Sequence, residues 1–155
     1  MKYRFLSAAA ITLLAASSVQ AQDAKAPEAK AVAPALPRTA APAGAELYFI
    51  APADGATVGK DFTVRFGLKG MGVAPAGVTT EKTGHHHLLI DVAELPPMNL
   101  PLPNDAQHKH FGGGQTEVSL SLPPGKHTLQ LILGDALHIP FDPPIVSPKI
   151  TVTVK

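Results

Sequence analysis

The chain of 155 residues contains no cysteine and no tryptophan, and only 5% of its residues are aromatic. Without cysteine there is no disulfide to staple a fold and no thiolate to hold a metal or attack a substrate. Stability must come from a packed core, and any metal chemistry must use nitrogen and oxygen donors. Charged residues make up 16% of the chain, with 13 basic and 12 acidic side chains, so the cationic excess that attracts nucleic acid is missing. No run reaches about 18 uninterrupted apolar residues, the length a membrane-spanning helix needs. The sequence patterns of common enzymes are missing too: there is no Gly-x-Ser-x-Gly nucleophile elbow, no phosphate-binding loop and no dinucleotide fingerprint. No enzyme is expected on that basis.

What is present begins with a leader. Lys2 and Arg4 precede an apolar stretch from Phe5 to Ala16, and Val19-Gln20-Ala21 ends in the small residues a signal peptidase accepts. Residues 1–21 are therefore expected to be a cleaved secretory signal, placing the mature protein in the periplasm or outside the cell with no membrane insertion after cleavage. No cysteine follows the apolar stretch, which argues against a lipid anchor. Loss of Lys2 and Arg4 leaves 11 basic against 12 acidic residues, a formal charge of −1. Residues 22–44 are dominated by Ala and Pro and hold too few large apolar groups to offset the entropy of ordering, so a flexible linker is expected there. Residues 45–155 then form one domain, large enough to bury a single core.

Within that domain the hydrophobic period is two. Phe62, Val64, Phe66 and Leu68 alternate with polar or small neighbours, as do Val118, Leu120 and Leu122. Leu129, Leu131 and Leu133, and Ile150, Val152 and Val154, repeat the pattern, while Glu46 to Ile50 and His86 to Val92 complete about six strands. Turn chemistry separates them: Pro52-Ala53-Asp54-Gly55, Gly70-Met71-Gly72, Pro123-Pro124-Gly125 and Asp142-Pro143-Pro144. No window supports a long amphipathic helix. The expected fold is all-β, an antiparallel immunoglobulin/fibronectin-like β-sandwich of six to eight strands.

All seven histidines lie between positions 85 and 138. Two His-x-His pairs, His85 with His87 and His108 with His110, each place two imidazoles on one side of an extended strand, roughly 7 Å apart. Such spacing suits a shared metal ion. In His85-His86-His87-Leu88-Leu89-Ile90-Asp91-Val92, alternation puts His86 with Leu88, Ile90 and Val92, and leaves His85, His87 and Asp91 on the opposite face. His86 is expected at the core edge, with its polar atoms satisfied. His127 shares the face of Leu129, Leu131 and Leu133, and is expected to bond a turn carbonyl. The candidate metal ligands are His85, His87, His108 and His110 in a solvent-accessible site, with His138 as an additional ligand and Asp91 or Glu117 in support. Met71 and Met98 are expected to be packing residues. Three consecutive glycines, Gly112 to Gly114, follow the second pair, as expected where the chain passes close to another group or takes a positive φ. Imidazole donors without thiolate favour copper(II), with zinc as the alternative. The competing reading is a non-catalytic cell-envelope binding module that contacts a protein or glycan without metal.

Four segments carry a resemblance. Gly84-His85-His86-His87-Leu88-Leu89-Ile90-Asp91, His108 through Glu117, Leu122 through Leu131, and Gly134-Asp135-Ala136 through Asp142-Pro143-Pro144 resemble the domain of unknown function 4399 family of exported bacterial proteins. The resemblance spans about residues 47 to 154 and implies export and a single domain, but no activity and no catalytic residues. In that family the position of Phe141 is often a histidine.

Overall fold

The computed structural model describes residues 37–155. The expected signal at 1–21 and most of the expected linker lie outside the described residues. Nine strands are formed: β1 (Glu46–Ala51), β2 (Thr57–Val58), β3 (Asp61–Lys69), β4 (Gly72–Val73), β5 (Thr83–Ile90), β6 (His108–His110), β7 (Glu117–Ser121), β8 (Gly125–Gly134) and β9 (Ile150–Val154). There is no helix among the described residues. β1, β3 and β7 form an antiparallel sheet of three strands in the order β1-β3-β7. The second sheet runs β2-β9-β8-β5-β4, and β6 pairs with β5 as well. Among the longer strands, the first, second and fourth, β1, β3 and β7, thus share one sheet, and β5, β8 and β9 share the other. This is the strand partition of an immunoglobulin/fibronectin-like β-sandwich.

The six strands with a readable period are those expected from the sequence. β2, β4 and β6 hold two or three residues each, too few to show any period, and β2 and β4 add short parallel pairings to β9 and β5. β8 starts at Gly125, inside a segment whose Pro-Pro-Gly reads as a turn. β5 stops at Ile90 instead of continuing to Val92, because Asp91 leaves the extended conformation with φ 56.

The main core lies between the sheets. Leu47 of β1, Val64 and Phe66 of β3 and Leu120 of β7 meet Leu88 and Ile90 of β5, Leu129, Leu131 and Leu133 of β8, and Val152 of β9. A smaller cluster lies on the far face of the larger sheet, where Leu89 and Ile132 are covered by Leu102 and Met98 of the long β5–β6 connection. β5 is therefore buried on both faces, and every residue from Gly84 to Ile90 is buried. That departs from the half-buried strand implied by alternation alone. Met71 packs on the main core and Met98 on the smaller cluster, both as apolar filler.

The domain also takes in residues before 45. The Arg38 guanidinium donates to the carbonyls of Pro140 and Phe141 and pairs with Asp142 at 3.0 Å. The Ala41 amide donates to the Asp142 carbonyl at 2.8 Å, and the Asp142 amide donates to the Thr39 carbonyl at 2.8 Å. The segment from Arg38 to Ala41, expected within the linker, is thus hydrogen-bonded to the domain.

Two histidines are built into this frame in opposite ways. His127 lies at the start of β8, with Nε2 2.9 Å from the Pro123 carbonyl and Nδ1 2.7 Å from the Asp91 carboxylate. Both partners are acceptors, so they favour the doubly protonated ring, and its pKa is raised, first by the Asp91 hydrogen bond and then by Pro123. His86 is fully buried, with its ring 5.2 Å from that of Phe66. Neither ring nitrogen has a hydrogen bond of good geometry among the described residues, so the expectation of a satisfied core-edge residue is corrected. Burial lowers its pKa to about 4, opposed only by the Gln115 backbone.

The two should titrate with opposite signs. His127 has a folded pKa above its unfolded value, so its contribution is complete below about pH 6.5 and is lost as pH rises through the folded value. The destabilisation caused by His127→Gln should accordingly be larger at about pH 5.5 than at about pH 8.5. His86 has a folded pKa below its unfolded value, so the parent loses stability as pH falls from about 6.5 toward 4. His86→Leu removes that loss along with a buried unsatisfied group, and should be neutral or stabilising at neutral pH and increasingly favourable as pH falls. Urea unfolding across this pH range checks both signs.

Candidate metal centre

The outer face of β5 carries His85, His87 and Leu89, and the antiparallel register fixes what stands beside them. His87 is opposite His110 of β6 and Ile132 of β8, while His85 is opposite Gly134. Directly paired side chains in a sheet lie about 4.5–5.5 Å apart at Cβ, so the His87–His110 pair follows from the ladder itself. The fourth imidazole arrives from the turn after β8. His138 has φ 67, and its ring centre is 4.9 Å from that of His85, 4.7 Å from that of His110 and 6.1 Å from that of His87. The remaining pairs, His85–His87, His85–His110 and His87–His110, lie at 4.9, 5.1 and 5.0 Å. Four imidazoles thus converge on one point of the sheet face.

Glycine leaves the space they occupy. A Cβ at Gly134 would stand 3.0 Å from His87 Nε2, and a Cβ at Gly112 would clash with the edge of the His110 ring at Cε1 and Nε2. The close approach expected of the glycine run is therefore made by Gly112 against His110. The neighbouring loops are tied together around the cluster: the Ala76 amide donates to the Gly112 carbonyl at 2.9 Å and the Gly77 amide to the Ala136 carbonyl at 3.0 Å.

His85 is 1% exposed and His87 2%, whereas His110 and His138 are half-buried. The expected solvent-accessible site is in fact a buried pair capped by two more accessible rings, because the β5–β6 connection and the turn after β8 cover the outer sheet face. Burial lowers the His85 pKa to about 4, helped by His138 and His110, and lowers that of His87 to about 2, helped by His85, His110 and His138. Burial also lowers the His110 pKa, with His138 adding to the effect. These rings are neutral near pH 7, and each offers one lone pair.

The hydrogen-bonding of the cluster is incomplete. His87 Nε2 lies 3.0 Å from His85 Nε2, a contact in which one ring donates and the other accepts. His85 Nδ1, His87 Nδ1 and His110 Nε2 are buried with no partner among the described residues. An unsatisfied buried polar atom costs about 1–3 kcal/mol. Ligand atoms of His85, His110 and His138 lie within 4.8 Å of one another. A tetrahedral ion with bonds of about 2.0–2.1 Å holds its donors about 3.4 Å apart, so these three rings would have to draw together to bind one.

The other expected participants are elsewhere. His108 is opposite Leu89, two pairs further along the ladder, and its Nδ1 is 2.9 Å from the carboxylate of Asp105, which also accepts from the Gln107 and His108 amides. The structure thus takes only His110 from the second pair into the cluster. Asp91 was expected on the His85–His87 face, but its backbone turns out of β5 and its carboxylate accepts from His127 and from the Thr128 amide. Glu117 pairs with Arg65 at 3.2 Å on the three-stranded sheet. Phe141 is buried in the main core. One contributor is given no role by the sequence pattern: Asp135, 7% exposed, accepts from the Leu137 and Ile139 amides at 2.9 Å and from the Thr39 hydroxyl at 2.7 Å. Its signal was a strand-ending Gly-Asp, a common start for an aspartate-closed turn.

Residues 64–155 match the family model described as "Domain of unknown function (DUF4399)". Among solved structures, the chain is similar to the PKD domain (329–428) of human KIAA0319, at 18% identity over 77% of this chain and 86% of that one, with a TM-score of 0.39. It is also similar to the fibronectin(III)-like modules of Clostridium thermocellum CbhA, at 13% identity over 70% of this chain and 92% of that one, with a TM-score of 0.33. No curated protein matches the chain.

The glycine contacts make a specific expectation. Gly112→Ala should displace the His110 ring and cost about 1–3 kcal/mol, the range for overpacking a filled site. At Gly113 an added Cβ meets only the end of the flexible Gln115 side chain, so Gly113→Ala should cost much less. Urea unfolding, together with the imidazole resonances of His110 in a nitrogen-correlated NMR spectrum, distinguishes the two.

Proposed function

The chain belongs to the DUF4399 family, and we propose that it is an exported protein that binds one transition metal ion, copper(II) in preference to zinc, through His85, His87, His110 and His138. The observation that carries this reading is the convergence of four imidazoles whose ring centres are 4.7–6.1 Å apart, with three buried ring nitrogens left without partners. A bound ion uses the lone pairs that the fold leaves idle and offsets the cost of desolvating them.

The donor set supports the choice of ion. It is all nitrogen, with no thiolate in the chain and no carboxylate hydrogen-bonded to the four rings among the described residues, although Asp135 lies near enough to oppose the lowering of the His85 pKa. Imidazole suits copper(II), zinc and nickel, and copper(II) stands highest in intrinsic affinity among divalent first-row ions. A leader of secretory type fits a metal-handling role in the cell envelope, where copper is met as cargo.

The test is a titration of the mature chain with copper(II) and zinc, followed by calorimetry and by electron paramagnetic resonance of the copper form. One copper ion per chain with nitrogen hyperfine structure is expected. His110→Ala and His138→Ala, at the half-buried positions, should each lower copper affinity by more than about tenfold with little loss of fold. The double replacement of His85 and His87 is a poorer probe, since both are buried and their loss leaves a cavity. Affinity should fall as pH falls, because protons compete for the same lone pairs. A parent chain that takes up neither metal stoichiometrically at neutral pH overturns this reading in favour of a metal-free envelope-binding module.

A further inference from the structure

We infer that Asp135 is the positioning residue of the metal centre: its carboxylate shapes the turn that delivers the His138 imidazole to the other three rings. The inference rests on the metal-binding reading and assigns a role to a residue outside the donor set.

His138 cannot reach the cluster from a regular strand. β8 ends at Gly134, opposite His85, and a direct continuation would carry the chain past the site. Instead, residues 135–139 form a closed turn: the His138 amide donates to the Asp135 carbonyl at 2.9 Å, and the Asp135 amide donates to the Ile139 carbonyl at 2.9 Å. One carboxylate oxygen of Asp135 fills the middle of this turn, accepting from the amides of Leu137 and Ile139, the two residues that flank His138. The second oxygen is anchored by the Thr39 hydroxyl. The left-handed backbone of His138, φ 67, is costly for a side chain with a Cβ and persists only where surrounding bonds impose it. Those bonds come from Asp135 and from the Leu102 amide, which donates to the His138 carbonyl at 2.8 Å. The imidazole of His138 thereby faces His85 and His110, whereas Leu137, next to it, points outward and is 63% exposed.

A carboxylate engaged in three hydrogen bonds has little capacity left to bind the ion itself. Its effect on the metal should therefore pass through His138, and that separates this role from direct ligation and from a general contribution to the fold.

The experiment is a double-mutant cycle on copper(II) affinity in the full mature chain, using Asp135→Ala and His138→Ala singly and together, with Asp135→Asn as the conservative variant. Asp135→Ala is expected to lower affinity by about 10- to 100-fold, the range for residues that orient a ligand. The loss should vanish when His138 is already alanine. Asp135→Asn keeps a side-chain carbonyl for the two amides and should retain affinity within a few-fold of the parent, with an unchanged copper resonance spectrum. An equal loss from Asp135→Ala in the His138→Ala background overturns the inference, as does a loss from Asp135→Asn as large as that from Asp135→Ala. Should Asp135→Ala fail to fold, Asp135→Ser, whose hydroxyl holds such a turn more weakly, is read in the same cycle: a loss of affinity that disappears in the His138→Ala background supports positioning, and an equal loss in both backgrounds, or no loss, overturns it. A parent that binds no copper is a failure of the metal reading, recorded before any variant is compared.

Discussion

The register of β5 is the constraint on which the rest of this molecule depends. The strand is buried on both faces, so neither of its two side-chain sets can be exchanged for the other. His86, Leu88 and Ile90 belong to the core between the sheets, and His85, His87 and Leu89 belong to the covered outer face. A slip of one residue would drive the two cluster histidines into the main core and lift Leu88 and Ile90 into the cluster. The flanking strands read the same register: β8 sets Gly134 against His85, and β6 sets His110 against His87. The position of every donor but one follows from which residue of β5 stands opposite which residue of its neighbours.

That arrangement has an energetic consequence. Burial near the cluster holds His85, His87 and His110 uncharged, and three ring nitrogens there have no partner among the described residues. Such a patch is destabilising to a chain whose stability comes from its core alone, with no disulfide in support. A ligand that binds only the folded state stabilises it by RT ln(1 + [L]/Kd), about 4 kcal/mol when the ligand exceeds Kd a thousandfold. On the proposed reading, a metal that completed this unsatisfied imidazole cluster would couple folding to metal supply. His127 supplies the contrast within the same chain, since its ring has acceptors at both nitrogens and is held by Asp91 and Pro123 as an ordinary structural residue.

How far this was legible in the sequence depended on length and on locality. Strands of five or more residues announced themselves through period two, and the same period sorted His86 from its neighbours correctly. β6 has three residues and no period, so the pairing of the two His-x-His segments could not be read. Counting alternation beyond Ile90 put Asp91 on the wrong face, because a single residue at φ 56 ends the alternation. His108 and His110 looked equivalent as a pair, yet an aspartate three residues upstream claims His108 through local hydrogen bonds, a competition that short polar side chains commonly win. The depth of the site was hidden as well. Beside it, Leu89 and Ile132 are covered by Leu102 and Met98 from the β5–β6 connection, where no hydrophobic period announces a packed segment.

Where the fourth imidazole comes from shows what a sandwich must add to its sheet in order to build a centre. A sheet face offers side chains in rows, so ladders alone give a flat pair of histidines on β5 with a third beside them. Closing the cluster needs an imidazole that approaches from above the plane, and a connection that folds back over the sheet provides it. The turn after β8 does so because β8 ends in Gly134, which has no side chain to obstruct the approach, and because Asp135 bends the chain immediately afterwards. Gly112 performs the same service on the opposite side, letting the chain after β6 pass against the His110 ring. Two glycines and one aspartate, none of them a donor, thus convert a row of imidazoles into an enclosed cluster.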